Sequence, residues 1–159
     1  LNLHTMASST LQTSDFRPLR PATGPLSGLD MIQLEQAGGV LHVRLDRPSK
    51  RNSISDALLK QLHTVFLNLD PEVRVVVLSG AGEHFSAGLD LSEVSERTVV
   101  EGIHHSRAWH ACFDAIQYGP VPVIAVLHGA VVGGGLELAA CAHLRVSEEG
   151  SFLSWLQGL

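Results

Sequence analysis

The sequence predicts an α/β protein built on a mainly parallel sheet. Two short apolar runs bounded by turn residues, VRVVVLS at Val73 to Ser79 and VIAVL at Val123 to Leu127, read as strands. Amphipathic patterns of helical spacing precede, separate and follow them, and an alternating hairpin lies ahead of both. Strands that alternate with helices pair in parallel, because a parallel pair needs a crossover long enough to hold a helix. The chain has 159 residues, 45% of them hydrophobic and 17% charged, which suits one globular domain and is too apolar for a disordered protein.

Residues 1–28 mix Ser, Thr, Pro and Gly without periodicity and are expected to form a flexible leader, with residues 29–159 as the folded domain. A transit peptide would be richer in Arg and poor in acids, whereas this stretch has Arg17, Arg20 and Asp15. From Met31, MIQLE, turn residues Gln36 to Gly39 and VLHVRL predict a β-hairpin. Ile54, Leu58, Leu59, Leu62, Phe66 and Leu69 then recur at steps of three and four, predicting a helix capped by Ser53 or Ser55 and stopped before Pro71. The run Val73 to Ser79 is continuous enough to be expected under cover on both faces. Val99 to Gln117 is the next helix, ending before Gly119, Pro120 and Pro122. Val123 to Leu127 is a second buried strand; GAVVGGG opens a helix over LELAACAH, and LRVS is a short strand beyond it.

Charge and cysteine usage exclude several classes. Lys and Arg number 11 against 16 Asp and Glu, a formal charge of −5, and no basic stripe offers phosphates counterions to displace, so nucleic acid is not an expected partner. Cys112 and Cys141 are too few for a disulfide framework and lack CxxC spacing, which leaves reduced, buried thiols and no expected metal. No apolar run approaches the roughly 20 residues that span a bilayer. A cytoplasmic protein with no membrane partner is the expectation.

Two glycine turns follow the two buried strands: FSAGLDL at Phe85 to Leu91 and GAVVGGGLE at Gly129 to Glu137. Each is placed at the carboxyl end of a strand, where open α/β sheets bind ligands. Gly88 can take a positive φ and present the Leu89 amide, and the three glycines allow close approach to the Gly134 amide as a helix begins. Two such amides aimed at one point would hold a carbonyl oxygen gaining negative charge. The plain alternative is a pair of tight turns. Neither segment is a phosphate loop: no GK[ST] follows, and GAVVGGG lacks GxGxxG spacing.

Glu137 falls in the first turn of the glycine-opened helix. The helix dipole favours its charge, whereas an apolar pocket would push its proton affinity toward the acid–base range; the alternative is a simple N-terminal helix charge. Nine histidines show no HExxH pairing. His104 and His105 are read as solvent-facing, and His128 stands beside the glycine segment. Ser86 does not form GxSxG, and Asp90 is read as a cap rather than a base.

Taken together, LDRPSKRNSIS at Leu45 to Ser55, VVVLSGAGEHFSAGLDL at Val75 to Leu91 and PVIAVLHGAVVGGGLELAAC at Pro122 to Cys141 closely resemble the crotonase family of enoyl-CoA hydratases and isomerases. The resemblance covers about Met31 to Ser147. It implies a crotonase-like (ClpP/crotonase) spiral of ββα units, assembled as trimers or paired trimers, that stabilises the enolate of an acyl-CoA thioester. Coenzyme A is then part of the substrate and no separate cofactor is implied. By position, Leu89 and Gly134 match the oxyanion-hole donors and Glu137 the first catalytic carboxylate. Leu89, Asp90, Leu91 and Ser92, with Ala87 beside them, match a CoA-contacting loop, and the turn holding Lys50, Arg51 and Ser53 resembles the family's first such turn.

Two departures accompany the match. Hydratases of this family place a second glutamate in an LPEG-like segment; here WLQG puts Gln157 at that position and Leu156 where Pro is usual. An amide can hold a water but cannot exchange its proton, which favours one-base isomerisation or plain binding over hydration. The resemblance also stops half-way through the family's usual length, so the spiral is incomplete and apolar surface is expected to lie exposed. An enoyl-CoA hydratase or isomerase-like enzyme is the leading expectation. A non-catalytic relative binding acyl-CoA or partner subunits without turnover is the alternative, and a ClpP-like hydrolase is disfavoured because the glycine turns lack a Ser–His pair.

Overall fold

The computed structural model describes residues 11–21, 23–93 and 98–155. Among them are strands β1 (Arg17–Pro18), β2 (Ile32–Ala37), β3 (Val40–Leu45), β4 (Val75–Gly80), β5 (Val123–Leu127), β6 (Ala130–Val132), β7 (Leu144–Ser147) and β8 (Phe152–Ser154), and helices α1 (Asp56–Leu67), α2 (Val99–Gln117) and α3 (Gly134–Cys141). Strands β1, β2, β3, β4, β5 and β7 form one sheet in that order, and β6 pairs with β8 in a second. The hairpin pairings β1–β2 and β2–β3 are antiparallel, whereas β3–β4, β4–β5 and β5–β7 are parallel. The predicted mainly parallel α/β sheet is what forms.

Helix α1 starts where Ser55 accepts the Leu58 amide at 3.1 Å, and it buries Leu58, Leu59, Leu62, Val65 and Phe66. Each such side chain contributes about 1.5–3 kcal/mol by leaving water. Ile54, which the spacing assigned to this helix, lies one residue outside the cap and instead bridges to Leu89. Helix α2 opens on a capping box between Thr98 and Glu101 and ends at Gln117, as the sequence predicts. These helices share one core with Val43, Leu45, Val76, Leu78, Val123, Ala125 and Leu127 from the sheet.

The expectation that β4 is covered on both faces is not met, and β5, expected as a buried strand, is open at Val126. Buried and more open positions alternate: Val76 and Leu78 face the core, whereas Val77 and Val126 line an open concavity of about 480 Å³ with His42, Arg44 and Ser79. Among the described residues the second face of these strands opens onto that concavity, and its β-branched residues suit the extended backbone. Strand β7 is exposed along its length, and Leu144 and Val146 stay 59% and 58% accessible. Within residues 1–28, Arg17–Pro18 pairs with Gln36 and Glu35 of β2, and Leu19 and Leu26 pack against the core. That pairing has no periodic signal because two residues cannot show one. No described helix is long and apolar enough to cross a membrane.

Candidate active site

Three turns follow β3, β4 and β6. The first spans Arg47 to Ser53, with Arg51 and Asn52 at φ 51° and 53°. Asn is among the few residues that tolerate this left-handed region, and the burial of its amide here explains the choice. Asn52 Oδ1 accepts the Arg47 amide at 2.9 Å, and Nδ2 donates to the carbonyls of Ala81 and His84 at 2.8 and 2.7 Å. One fully buried side chain thus ties the turn after β3 to the segment after β4.

The second turn, residues 85–92, lies between the first and β6. On one flank Ser86 bridges Val131: its amide donates to Ala130 O at 3.1 Å and its carbonyl accepts from Val132 at 3.0 Å. On the opposite flank the Ala87 amide donates to Arg51 O at 2.9 Å, the Ile54 amide to Gly88 O at 2.7 Å, and the Asp90 amide to Ile54 O at 2.9 Å. All peptides here are trans. In a trans peptide the C=O and N–H point in opposite directions. Because Gly88 O points at Ile54, the Leu89 N–H of the same peptide points away from Ile54, toward the flank occupied by β6. Gly88, at φ 94°, supplies the backbone conformation that turns the peptide this way.

The third turn continues β6 into α3. Gly133 sits at φ 50°, ψ −121°, a conformation open to glycine, and its carbonyl accepts the Leu136 and Glu137 amides at 2.9 and 3.0 Å. That carbonyl points into the helix, so the Gly134 N–H points out of its N-terminal end. Gly135 is glycine because a Cβ there would stand 2.7 Å from both Cβ and O of Ser86. The start of α3 therefore rests directly on the second turn. Among the described residues neither the Leu89 nor the Gly134 amide has an intramolecular acceptor.

The other sequence-predicted residues divide by exposure. Lys50, Arg51, Leu91 and Ser92 face solvent, and Ala87 and Leu89 are half-buried. Ser53 and Asp90 are buried. Asp90 Oδ2 accepts from Arg47 at 2.9 Å, and Oδ1 accepts from the Ser92 hydroxyl and amide at 2.6 and 3.2 Å. Its pKa falls to about 2: the Ser92 hydrogen bond lowers it more than burial raises it, and Arg47 lowers it further. The carboxylate is thus a clamp, in line with its reading as a cap. Glu137 lies in the first turn of α3, between buried Leu136 and Leu138, but is itself exposed. Leu156 and Gln157 lie outside the described residues.

The clefts of about 390 and 270 Å³, lined by residues from Pro18 to Asp46 and from Pro48 to His84, do not include Leu89, Gly134 or Glu137. His128 contacts Gly82 O at 3.0 Å and so latches two loops. His104 is exposed as expected, whereas His105 is half-buried, 2.8 Å from Asp56 and tilted against Trp109. Burial raises the thiol pKa values of Cys112 and Cys141 to about 12 and 11, so both stay protonated at neutral pH. Sequence reasoning missed Arg47 and Asn52. An Asn beside a Pro-containing turn signals positive φ, but its long-range partners carry no local signal.

A parallel sheet that turns into a second, smaller sheet and a glycine-opened helix is the crotonase-type fold. The family model for enoyl-CoA hydratase/isomerase matches residues 35–154, and the chain belongs to that family. Mouse mitochondrial Delta(3,5)-Delta(2,4)-dienoyl-CoA isomerase is 31% identical over 96% of this chain and 50% of its own length. The short-chain-enoyl-CoA hydratase of Clostridium acetobutylicum is 34% identical over 75% of this chain and 47% of its own. A candidate enoyl-CoA hydratase from Rhodopseudomonas palustris CGA009 superposes with a TM-score of 0.76 at 46% identity, covering 85% of this chain and 51% of that one. The chain spans about half the length of the curated relatives it matches.

Proposed function

We propose that this chain carries the enolate-stabilising part of an enoyl-CoA hydratase or isomerase. The observation supporting this most strongly is the pair of acceptor-free amides at Leu89 and Gly134, on turns held together by Gly135 against Ser86. A thioester α-proton is weakly acidic, so removing it requires the developing oxyanion to be held. Each backbone donor in such a site is worth about 3 kcal/mol. In an isomerase Glu137 takes the α-proton as the C–H electron pair moves into the enolate, and returns it at a different carbon of the conjugated chain; in a hydratase the carboxylate deprotonates the water that adds to C3, and the proton it gains goes to C2 of the enolate that forms. The names of the relatives favour an acyl-CoA as the molecule bound, and a trimer or paired trimers as the assembly belongs to the same proposal.

A second reading has its own support. Glu137 is exposed, so acyl-CoA binding without turnover is the alternative. The hydrolase reading fares worse. Ser79 Oγ does lie 2.7 Å from His42 Nε2, but the pair lines the open sheet-face concavity, which includes neither Leu89 nor Gly134 nor Glu137. Crotonyl-CoA added to the purified chain discriminates the first two. Loss of its conjugated absorbance supports the enzyme; saturable binding with constant absorbance supports the alternative.

A further inference from the structure

We propose that Arg47 is a positioning residue that fixes the direction of the Leu89 amide, acting through Asp90 and Ser53. The inference rests on the enolate-site reading above and concerns what holds that site in register.

Arg47 is the last-turn residue after β3 whose side chain reaches both sides of the Ile54–Leu89 bridge. Nη1 donates to Ser53 O at 2.6 Å, one residue before Ile54, and Nη2 donates to Asp90 Oδ2 at 2.9 Å, one residue after Leu89. The guanidinium and carboxylate side chains are 16% and 7% accessible, so the pair is shielded from competing water. Inside this bracket lie the two backbone bonds that orient the peptide, Ile54 N to Gly88 O and Asp90 N to Ile54 O. Gly88 has no Cβ to resist rotation of the Gly88–Leu89 peptide, so its local sequence does not hold the Leu89 N–H in one direction. An oxyanion pulling on that N–H exerts force on the peptide, and the bracket resists it. Asp90 is held from its other oxygen by Ser92, which makes the anchor rigid rather than a tethered charge.

A purely structural salt bridge would move stability and all ligand affinities alike; a positioning bridge separates ligands with the carbonyl from those without. The test titrates acetoacetyl-CoA and free coenzyme A into the parent chain and into Arg47→Met, Arg47→Lys and Asp90→Asn, with thermal unfolding measured alongside. The parent is expected to prefer acetoacetyl-CoA by about tenfold or more, the value of a hydrogen bond to a charged oxygen. In Arg47→Met that preference falls about tenfold while affinity for coenzyme A changes less than twofold. Arg47→Lys regains part of the preference, because one ammonium can reach Asp90 but not Ser53 as well. Asp90→Asn, equal in volume, also loses preference and keeps the question answerable if Arg47→Met does not fold. An unchanged preference in Asp90→Asn and in whichever Arg47 variants fold, or an equal loss for both ligands, overturns the positioning role. A parent chain that shows no preference refutes the enolate-site reading itself, and does so before any variant is compared.

Discussion

Replacing Gly135 by Ala probes the contact that joins the two amide-bearing turns. The new Cβ would stand 2.7 Å from the Ser86 Cβ, 2.7 Å from its carbonyl oxygen and 2.8 Å from its hydroxyl. Carbons meet comfortably at about 3.5 Å, so α3 must withdraw from the second turn by about 0.8 Å (3.5 − 2.7). Ser86 cannot give way, since its amide and carbonyl are bonded to β6 and its hydroxyl donates to Asn52 O at 2.8 Å. Overpacking of this kind costs about 1–3 kcal/mol, partly offset by up to about 1 kcal/mol from alanine's better helix propensity. A net loss of about 1–2 kcal/mol lowers Tm by roughly 2–4 °C per kcal/mol in a chain of this size. Gly102 in α2 is the control: a Cβ there meets nothing within 4 Å, so Gly102→Ala should stabilise the chain through the same propensity by about 0.5–1 kcal/mol and raise Tm. Both are read by circular dichroism melts. If Gly135→Ala is as stable as the parent or more so, Ser86 and α3 are not in the contact described.

Further expectations concern the acid, the clamp and the Asn52 tie. Any turnover of crotonyl-CoA should vanish in Glu137→Gln while coenzyme A affinity stays within twofold; equal rates in the two proteins would remove Glu137 from the chemistry. Asp90 has a folded-state pKa depressed to about 2 from 3.8, so its ionisation stabilises the fold above about pH 4 and that contribution is lost as pH falls toward 2. After allowance for solvent screening this is about 1–2 kcal/mol, seen as a steeper acid-unfolding slope that Asp90→Asn should flatten. Asn52→Gly keeps the positive φ but strands the Ala81 and His84 carbonyls and the Arg47 amide, for a loss of about 2–4 kcal/mol measurable by urea unfolding; a loss below 1 kcal/mol would mean that the turns are held elsewhere.

What could be read from the sequence and what could not divide along a physical line. Helix α2 and strand β5 fall where expected because strong periodicity and Pro or Gly stops are local signals. Leu89, Gly134 and Glu137 were legible as candidates because the glycines around them need special backbone conformations. Ile54 was misassigned because its apolar character served a bridge to Leu89 rather than a helix face. Strands β1, β6 and β8 are two or three residues long, too short to show a period, and exist through pairing with distant partners. Asn52 and Arg47 act on residues 29 to 43 positions away, which no local pattern encodes. The open face of β4 was hidden because a β-branched run satisfies strand propensity with or without a cover.

The most direct measurement is a pair of amide proton resonances. With the chain labelled with ¹⁵N, acetoacetyl-CoA should shift the Leu89 and Gly134 amide protons downfield together and saturate both at one concentration, whereas free coenzyme A should leave both in place. If only one of the two moves, or both respond equally to coenzyme A without a carbonyl, the amides do not grip a common oxygen.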